Sequence, residues 1–535
     1  MKLSTCITTL LTTLALLSSA FAEDKKPDLT GLAADTELVE TRTEVPRLKA
    51  AAPYEVKDNT IVVELSEYAG YAGLIAANGG MDPSEDSIFF KKYHFKVKLT
   101  LSEEESWGSL NSGKIAASAT TADVLAVYGK QFQVVVPAQI GYSRGADGIV
   151  VKSDIKRINA LKGKVLSCSQ FTESDFLIRY LAQEAGLAVN MLPDLKAAPD
   201  PTKVNLVYCA DGFGAGDIFA RDLKAGRDRL AGCVTWAPKT NEVAEGSGGK
   251  AHILTTNRNL LVVADILVVN KGFAKQNPNM VAGLVDGLLE GNRMVRDDAD
   301  NHLDVICKAF KWDKDKAKSE LGKVHLANLP ENLAFFSGAM DAAGSFSGIY
   351  QSAVYVYGDL AKSSVDSDNF ADTQYLKALD KSGDFKDQKI AIAPIRTAGS
   401  ADAEGDPLLS KDIRFYFQPN SAVLDVTNAD NLKDLDSIKQ LLQVSPGSTV
   451  LLRGHVDNAM IEVFRRQGGE ALVRQHALGA DALSKNRAAE IKRLLVERCG
   501  VDLNRLSTVG VGWKEPAGTD SAKNRRVEVQ WFTLE

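Results

Sequence analysis

The sequence of 535 residues is poor in the side chains that build metal and redox centres, with six cysteines and six histidines. No CxxC pair occurs, and no cysteine lies at metal-ligand spacing from a histidine. We therefore expect no metal site and no cofactor. Lysine and arginine number 63 against 69 aspartates and glutamates, a net charge of −6. Without a basic excess, the composition does not indicate binding to nucleic acid.

Long apolar runs are absent beyond the first stretch, MKLSTCITTLLTTLALLSSAFAEDKK. That stretch combines Lys2, an apolar core around Leu10 to Leu17, and Ala20-Phe21-Ala22 before a charged segment. The pattern predicts a secretory signal peptide over residues 1 to 22. Because the core is shorter than the ~20 residues that span a bilayer, we expect a secreted protein with no transmembrane segment after cleavage.

Five cysteines follow that segment: Cys168, Cys209, Cys233, Cys307 and Cys499. An odd number leaves at least one thiol unpaired within the chain. The first three each close a short apolar run. Either two of them face each other across neighbouring strands and form a disulfide, or all three are buried reduced thiols.

Composition and periodicity divide the rest of the chain. Residues 23 to 57 have few large apolar side chains and no period, which predicts a flexible tether that joins no core. From residue 58 to 385, short β-branched runs alternate with amphipathic helical stretches, which favours a parallel α/β sheet with helices on both faces. A polar linker is predicted over 386 to 410. Residues 411 to 535 predict a small α+β domain of order β-α-β-α-β-β.

Nine strands are predicted in the large domain, and helices are expected between them. The strands are Ile61–Leu65, Lys96–Leu99, Ala116–Ala119, Gln133–Val136, Gly148–Val151, Lys164–Ser167, Asn205–Tyr208, Gly232–Thr235 and Ile266–Val269. One of the helices is predicted to begin at Ser174 as N-cap.

Polar side chains recur in the loops that directly follow these strands, where parallel sheets bind ligands. Each of them taken alone is more simply an N-cap or a turn residue, but their repetition points to a ligand. Hydroxyls and one arginine suit a small polar or anionic solute better than catalysis. The candidate solute-binding residues are Tyr68, Tyr71, Thr120, Thr121, Ser143, Arg144, Thr172, Ser174, Asp211 and Trp236.

Residues 58 to 360 resemble the periplasmic substrate-binding proteins of nitrate, sulfonate and taurine ABC transporters. The resemblance rests on stretches such as SLNSGKIAASATTAD, GADGIVVKSDIKRINALKGK and ILVVNKGFAKQNP. It implies a type II fold of two lobes that close over one small ligand, with a transporter permease as a further partner. An enzyme related to this fold carries a cysteine-rich motif, which VLSCSQ and VYCADG do not match. We expect no enzymatic activity.

Near the C-terminus, LLRGHVDN places His455 and Asp457 where a predicted strand ends, and LSKNRAAEIKRLLV places Arg487 one turn into a helix predicted to begin near Ser484. A carboxylate and a guanidinium at one end of a sheet would receive a zwitterion. An ordinary salt bridge between Asp457 and Arg487 is the alternative.

This region resembles the OmpA-like peptidoglycan-binding domain, through IRFYFQPNSAVL, LLRGHVDN, LSKNRAAEIKRLL and NRRVEV. The resemblance implies that Asp457 and Arg487 bind diaminopimelate of the peptidoglycan stem peptide, that Asn420 lines the same pocket, and that Arg525 and Arg526 brace the fold. Residues 458 to 482 form an insertion into the family pattern. They are predicted to form a helical hairpin that roofs the pocket or binds a partner.

Together these patterns predict a non-catalytic periplasmic protein that binds a small, anionic solute and is anchored to the cell wall. The alternative is a structural or sensory protein of the cell envelope, whose two-lobed domain binds a protein partner instead of a transported solute.

Overall fold

The computed structural model describes residues 38–102, 106–339, 344–392, 407–418 and 421–533. They form two six-stranded sheets and one four-stranded sheet, with helices between the strands. This confirms the predicted class, a two-lobed α/β domain followed by a small α+β domain. The predicted signal peptide lies outside the described residues.

The strands are numbered β1 to β16 in chain order. They are β1 Thr60–Leu65, β2 Lys96–Leu101, β3 Ala117–Thr121, β4 Val134–Ser143, β5 Asp147–Lys152, β6 Val165–Ser169, β7 Val189–Met191, β8 Val204–Cys209, β9 Gly232–Trp236, β10 Ala251–Thr256, β11 Ala264–Asn270, β12 Val324–Leu326, β13 Leu409–Ile413, β14 Thr449–His455, β15 Leu506–Gly512 and β16 Val527–Phe532. All nine predicted strands are present, and β7, β10 and β12 were not predicted.

The α-helices lie between these strands. Their bounds are Ala72–Asn78, Ile88–Tyr93, Trp107–Asn111, Val124–Tyr128, Glu173–Glu184, Gly212–Lys224, Lys239–Gly246, Lys271–Gln276, Pro278–Asp297, Leu303–Phe310, Lys314–Leu321, Leu329–Ser337, Phe346–Tyr357, Gln374–Ser382, Ala429–Val444, Ile461–Glu497 and Ser521–Asn524. No helix among the described residues is long and apolar enough to cross a membrane.

Each lobe contains one six-stranded sheet. The first lobe has the order β12-β4-β11-β3-β1-β2, and the second has β10-β5-β9-β6-β8-β7. The predicted parallel pairing holds for β1 with β2 and β3, and for β6 with β8 and β9. It fails at β5, which runs antiparallel to β9, and at β11, which runs antiparallel to β3 and β4. β11 has this direction because the chain re-enters the first lobe there from the second.

Two stretches of chain cross between the lobes, one from β4 to β5 and one from β10 to β11. Asn257, which is fully buried, joins them. Its side-chain amide donates to Ser143 O and to Asp147 Oδ2, both at 3.2 Å. Its Oδ1 accepts from Gly145 N at 2.9 Å. These bonds fix the base of the cleft between the two lobes.

The tether predicted over 23 to 57 needs correction for its described part, residues 38–57, which we call the strap. On the first lobe, Tyr54 is buried and its amide donates to Asn270 Oδ1 at 3.3 Å. On the second lobe, Thr41 Oγ1 donates to Leu192 O at 2.5 Å, and Val39 N donates to Tyr208 O at 3.0 Å. Backbone groups make most of this docking, so apolar periodicity does not reveal it.

The predicted linker, 386 to 410, is also partly structured. Ala391 N donates to Glu331 Oε1 at 2.8 Å, and Lys389 O accepts from Asn328 Nδ2 at 2.7 Å. Residues 393–406 lie outside the described residues. The chain then enters β13, which starts four residues before the predicted strand IRFYF.

The C-terminal domain has sheet order β13-β16-β14-β15 and the predicted succession of elements. It packs against the second lobe and the crossing region. Leu408 O accepts from Ile158 N at 2.9 Å, and Ser410 O accepts from Asn159 Nδ2 at 2.8 Å. Leu261 N, between β10 and β11, donates to Val444 O at 2.8 Å.

The insertion 458 to 482 changes where the helix that carries Arg487 begins. Ser484 lies inside the helical segment Ile461–Glu497, not at its start, and is buried. The segment breaks at Gly468 and Gly469, and Gly469 has a φ of 63° that favours glycine. Phe464 stacks on His476 at 3.9 Å. A continuous helix would separate two residues twelve apart by about 18 Å, so the two parts form the predicted hairpin.

The described cysteines are all free: Cys168, Cys209, Cys233, Cys307 and Cys499. This favours the alternative of reduced thiols. Burial raises the pKa of the Cys168 and Cys233 thiols well above the usual range, so their reactive thiolates are scarce at neutral pH.

We therefore predict that a reductant leaves the melting temperature unchanged, because no bond is available to reduce. Alkylation of the secreted protein in denaturant without reductant should add five labels, measured by intact mass. Three labels or fewer, or a melting temperature that drops with reductant, would show a disulfide.

Candidate functional site

A cavity of about 370 Å³ lies between the two lobes. Its walls come from the carboxyl ends of β1 and β3 in the first lobe and of β6, β8 and β9 in the second. This is where open α/β sheets place their ligands, since the loops leaving the strands meet there. The strap contributes Val39 and Arg42 to the same cavity.

Six of the ten predicted solute-binding residues line this cavity, and they come from both lobes. They are Tyr68, Tyr71, Thr120, Thr121, Thr172 and Trp236. Their shared signal in the sequence was their position just after, or at the end of, a strand.

The other four predicted residues do not line the cavity. Asp211 caps the helix Gly212–Lys224 by accepting from Gly214 N at 2.7 Å. Ser174 is buried within the helix Glu173–Glu184, whose N-cap is Thr172. Ser143 is held by Asn257, with 3.2 Å between Ser143 Oγ and Asn257 Oδ1. Arg144 Nε donates to Arg258 O at 2.8 Å. Arg144 was the one basic residue that favoured an anionic solute. Since it does not line the cavity, the predicted residues no longer favour an anion.

Sequence reasoning missed four charged residues of the cavity, Arg42, Glu64, Glu173 and Asp265. It also left Asp147 out of the candidates, although Asp147 follows Ser143 and Arg144 in the same loop. Asp147 is the first residue of β5, and Asp265 lies near the start of β11. Each of the two side chains is at most 3% exposed. An acidic residue at the head of an otherwise apolar strand was the available signal. Nothing in the sequence around Arg42 pointed to the cavity.

Two tyrosines hold the carboxyl group of Asp265. Tyr68 Oη donates to Oδ2 and Tyr71 Oη donates to Oδ1, both at 3.3 Å. The two rings pack edge to face with centroids 5.2 Å apart. All three side chains are buried, so the position of the carboxyl group is fixed by bonds to both of its oxygens.

Three buried carboxyl groups meet near the crossing between the lobes. Burial, together with the charge of Asp147, raises the pKa of Asp265 well above its usual range. Burial likewise raises the pKa of Asp147 to about 6 and that of Asp123, next to the cavity, to about 7. No described lysine, arginine or histidine forms an ion pair with any of the three, whereas the nearby Asp175 is paired with Arg179 at 2.7 Å.

The second candidate site, in the C-terminal domain, is a cavity of about 160 Å³ lined by Arg487, Arg525, His455 and Phe417 among others. The guanidinium of Arg487 lies 4.8 Å from the centre of the Phe417 ring, and its Nε donates to Ser421 O at 3.3 Å. Burial, and then the charge of Arg525, lowers the pKa of Arg487. This cavity therefore presents concentrated positive charge to a ligand.

Asp457 does not form a salt bridge with Arg487, which was the alternative considered from the sequence. Its Oδ2 lies 3.6 Å from Arg525 Nη1. Arg525 also lines the cavity beside Arg487, so it is a candidate site residue in addition to its predicted role in bracing the fold. Arg526 does brace the fold, since its Nε donates to Asp412 Oδ1 at 2.8 Å. Asn420 lies outside the described residues.

His455 supports this site from beneath. It is 2% exposed, and its Nε2 lies 3.5 Å from Glu528 Oε2. Burial favours the neutral form of Glu528, but the neighbouring His455, a hydrogen bond from Gln530 and the charge of Arg453 hold its pKa at about 2. Among the described residues, no group of three or more acidic, histidine or cysteine side chains forms a metal site.

Residues 416–530 match the OmpA family, so the chain ends in an OmpA-family domain, as the motifs predicted. Outer membrane protein Omp38 of Acinetobacter baumannii is 30% identical over 129 residues, which cover 22% of this chain and 30% of that protein. The chain thus spans less than a third of the length of these relatives.

Solved structures similar to the large domain include the alkanesulfonate-binding protein SsuA from Xanthomonas axonopodis pv. citri, with a TM-score of 0.44 and 12% identity over 60% of this chain and 100% of that one. The periplasmic nitrate-binding protein NrtA from Synechocystis PCC 6803 has a TM-score of 0.45 and 13% identity over 65% of this chain and 94% of that one. The desulfurization enzyme DSZB has a TM-score of 0.39 and 16% identity over 60% of this chain and 99% of that one. At these TM-scores the similarities carry no argument about ligand or activity.

The raised pKa of Asp123 predicts that stability falls with rising pH. The folded protein keeps this proton up to about pH 7, but the unfolded chain loses it near pH 4. Between these values the folded state binds more protons, so the free energy of unfolding decreases as pH rises. We expect the wild type to lose more melting temperature than Asp123→Asn between about pH 5 and about pH 8. Equal losses in both proteins would contradict this account.

Proposed function

We propose that this chain is a non-catalytic, periplasmic solute-binding protein whose C-terminal domain anchors it to peptidoglycan. The observation that carries the first part is the cavity between the lobes, which takes side chains from the strand ends of both sheets. A ligand held by two bodies on a shared hinge favours their closure, because only the closed form makes both sets of contacts.

The hydroxyl groups and aromatic rings that line the cavity suit a small solute. Hydroxyl groups line one part, including those of Thr120, Thr121 and Thr172, while Tyr68 and Trp236 supply aromatic faces. Such mixtures of aromatic surface and a few fixed polar groups orient small molecules. A solute captured in this way would be delivered to the permease of an ABC transporter.

The OmpA-family domain supports the anchoring part of the proposal. Diaminopimelate offers an ammonium group and a carboxylate at its free end. The ammonium group would bind Asp457, and the carboxylate would bind Arg487. The ion pair of Asp457 with Arg525 is long, and the Arg525 side chain is 49% exposed. Exposed pairs contribute little stability, so a ligand can replace this one at low cost.

This assignment locates the protein in the periplasm, associated with the cell wall. The predicted signal peptide provides the export route, and the domain order places the solute site on the N-terminal side of the anchor.

We predict that Asp457→Ala and Arg487→Ala each reduce co-sedimentation with purified peptidoglycan by at least ~10-fold, because each removes the partner of one charged group. Matched controls are Asp436→Ala, an exposed acid in the same domain, and Arg493→Ala, an exposed arginine on the same helix. Both controls should bind as the wild type does. Binding that persists in both site variants, or is absent from the wild type, would remove the anchoring role.

We also predict that solute binding changes tryptophan fluorescence, since Trp236 lines the cavity between the lobes. Titration with a protein-free extract of cell metabolites should shift the emission of the wild type. Trp236→Phe should reduce that shift, with the remainder coming from Trp107, which lines the same cavity. Trp513→Phe, in the C-terminal domain, is the control and should retain it. A wild type that does not respond to the extract would count against solute binding.

A further inference from the structure

The ionisable side chains lining the cavity are predominantly acidic. Glu64, Asp147, Glu173 and Asp265 line it, and Arg42 of the strap is the one basic residue among the described lining residues. Arg42 is exposed, whereas Asp147 and Asp265 are 3% and 2% exposed. The inner part of the cavity is therefore acidic, and its basic residue lies on the solvent side.

An anion would meet these carboxyl groups without a buried basic partner, which is unfavourable in a cavity of low polarity. From this arrangement we infer that the cavity binds a small organic cation, with its charged nitrogen against Asp265 and Asp147. The inference rests on the proposed solute-binding function and specifies the class of solute.

The aromatic lining supports the same class of ligand. Tyr68, Tyr71, Trp107, Tyr128 and Trp236 all line the cavity. Aromatic faces attract ammonium groups through the negative charge on the ring faces, and more strongly once water is excluded. Five such rings beside two fixed carboxyl groups provide both the direct charge and the surrounding surface that an alkylammonium group needs.

The protonation of these carboxyl groups agrees with this class. Asp265 is flanked by Tyr68 and Tyr71, which donate to it, and by the acidic groups of Asp147 and Asp123. Burial raises the pKa of all three carboxyl groups. A bound cation would replace the protons and restore the ionised forms.

The test is calorimetric titration of the dialysed full-length chain with matched compounds. Choline is compared with its uncharged isostere dimethylbutanol, putrescine with butanediol, and ethanesulfonate and nitrate serve as anions. We expect at least one cation to bind at least ~10-fold more tightly than its neutral counterpart. Asp265→Asn keeps one of the two acceptor oxygens, places an NH2 donor at the other position and loses the charge, and should weaken that cation at least ~10-fold. Glu245→Gln, which changes an exposed acidic residue, should leave the affinity for that cation unchanged.

Asp147→Asn provides a second variant, and an unchanged melting temperature establishes that each variant is folded. Binding of an anion but of no cation would overturn the inference and leave the solute-binding function intact. Equal binding of a cation and its neutral counterpart, or a cation affinity unchanged in both variants, would also overturn it. Binding by none of the compounds overturns it too, while the response to the metabolite extract separately decides the proposed function.

Discussion

The hydrogen bonds of Asn257 join the two stretches of chain that cross between the lobes, and the cavity depends on this connection. The same side chain binds Ser143 O at the end of β4 and Asp147 Oδ2 at the start of β5. Asp147 also lines the cavity. The proposed hinge and the acidic wall therefore share one residue, so a change in the charge of that wall would act directly on the crossing region.

Two further features would constrain the proposed closure of the lobes. The strap is bonded to the first lobe through Asn270 and to the second through Leu192, so it spans the cleft. The C-terminal domain contacts the second lobe at Asn159 and the crossing region at Leu261. A C-terminal domain held on the cell wall would thus hold the second lobe and leave the first lobe as the part that moves.

Much of the fold was predictable because its strands are short apolar runs closed by turns, and all nine predicted strands exist. The OmpA-family domain was predictable because its motifs are local in sequence. The strap was not, since its docking uses backbone groups that any sequence carries. For the cavity, position after a strand selected Tyr68 and Trp236, which line it, but also selected Asp211, which is a helix cap. Which loop residues face the cleft depends on how the two sheets are placed relative to each other. The spacing of residues in the sequence does not determine this placement.

The central claim is that one small solute occupies the cavity between the lobes. Native mass spectrometry of the freshly purified protein tests it most directly, because a closed cleft retains its solute through purification. The account predicts a single additional mass of a small molecule on the wild type, lost when the protein is unfolded and reduced in Asp265→Asn. A bare chain in every preparation, or the same added mass on the isolated C-terminal domain, would contradict it.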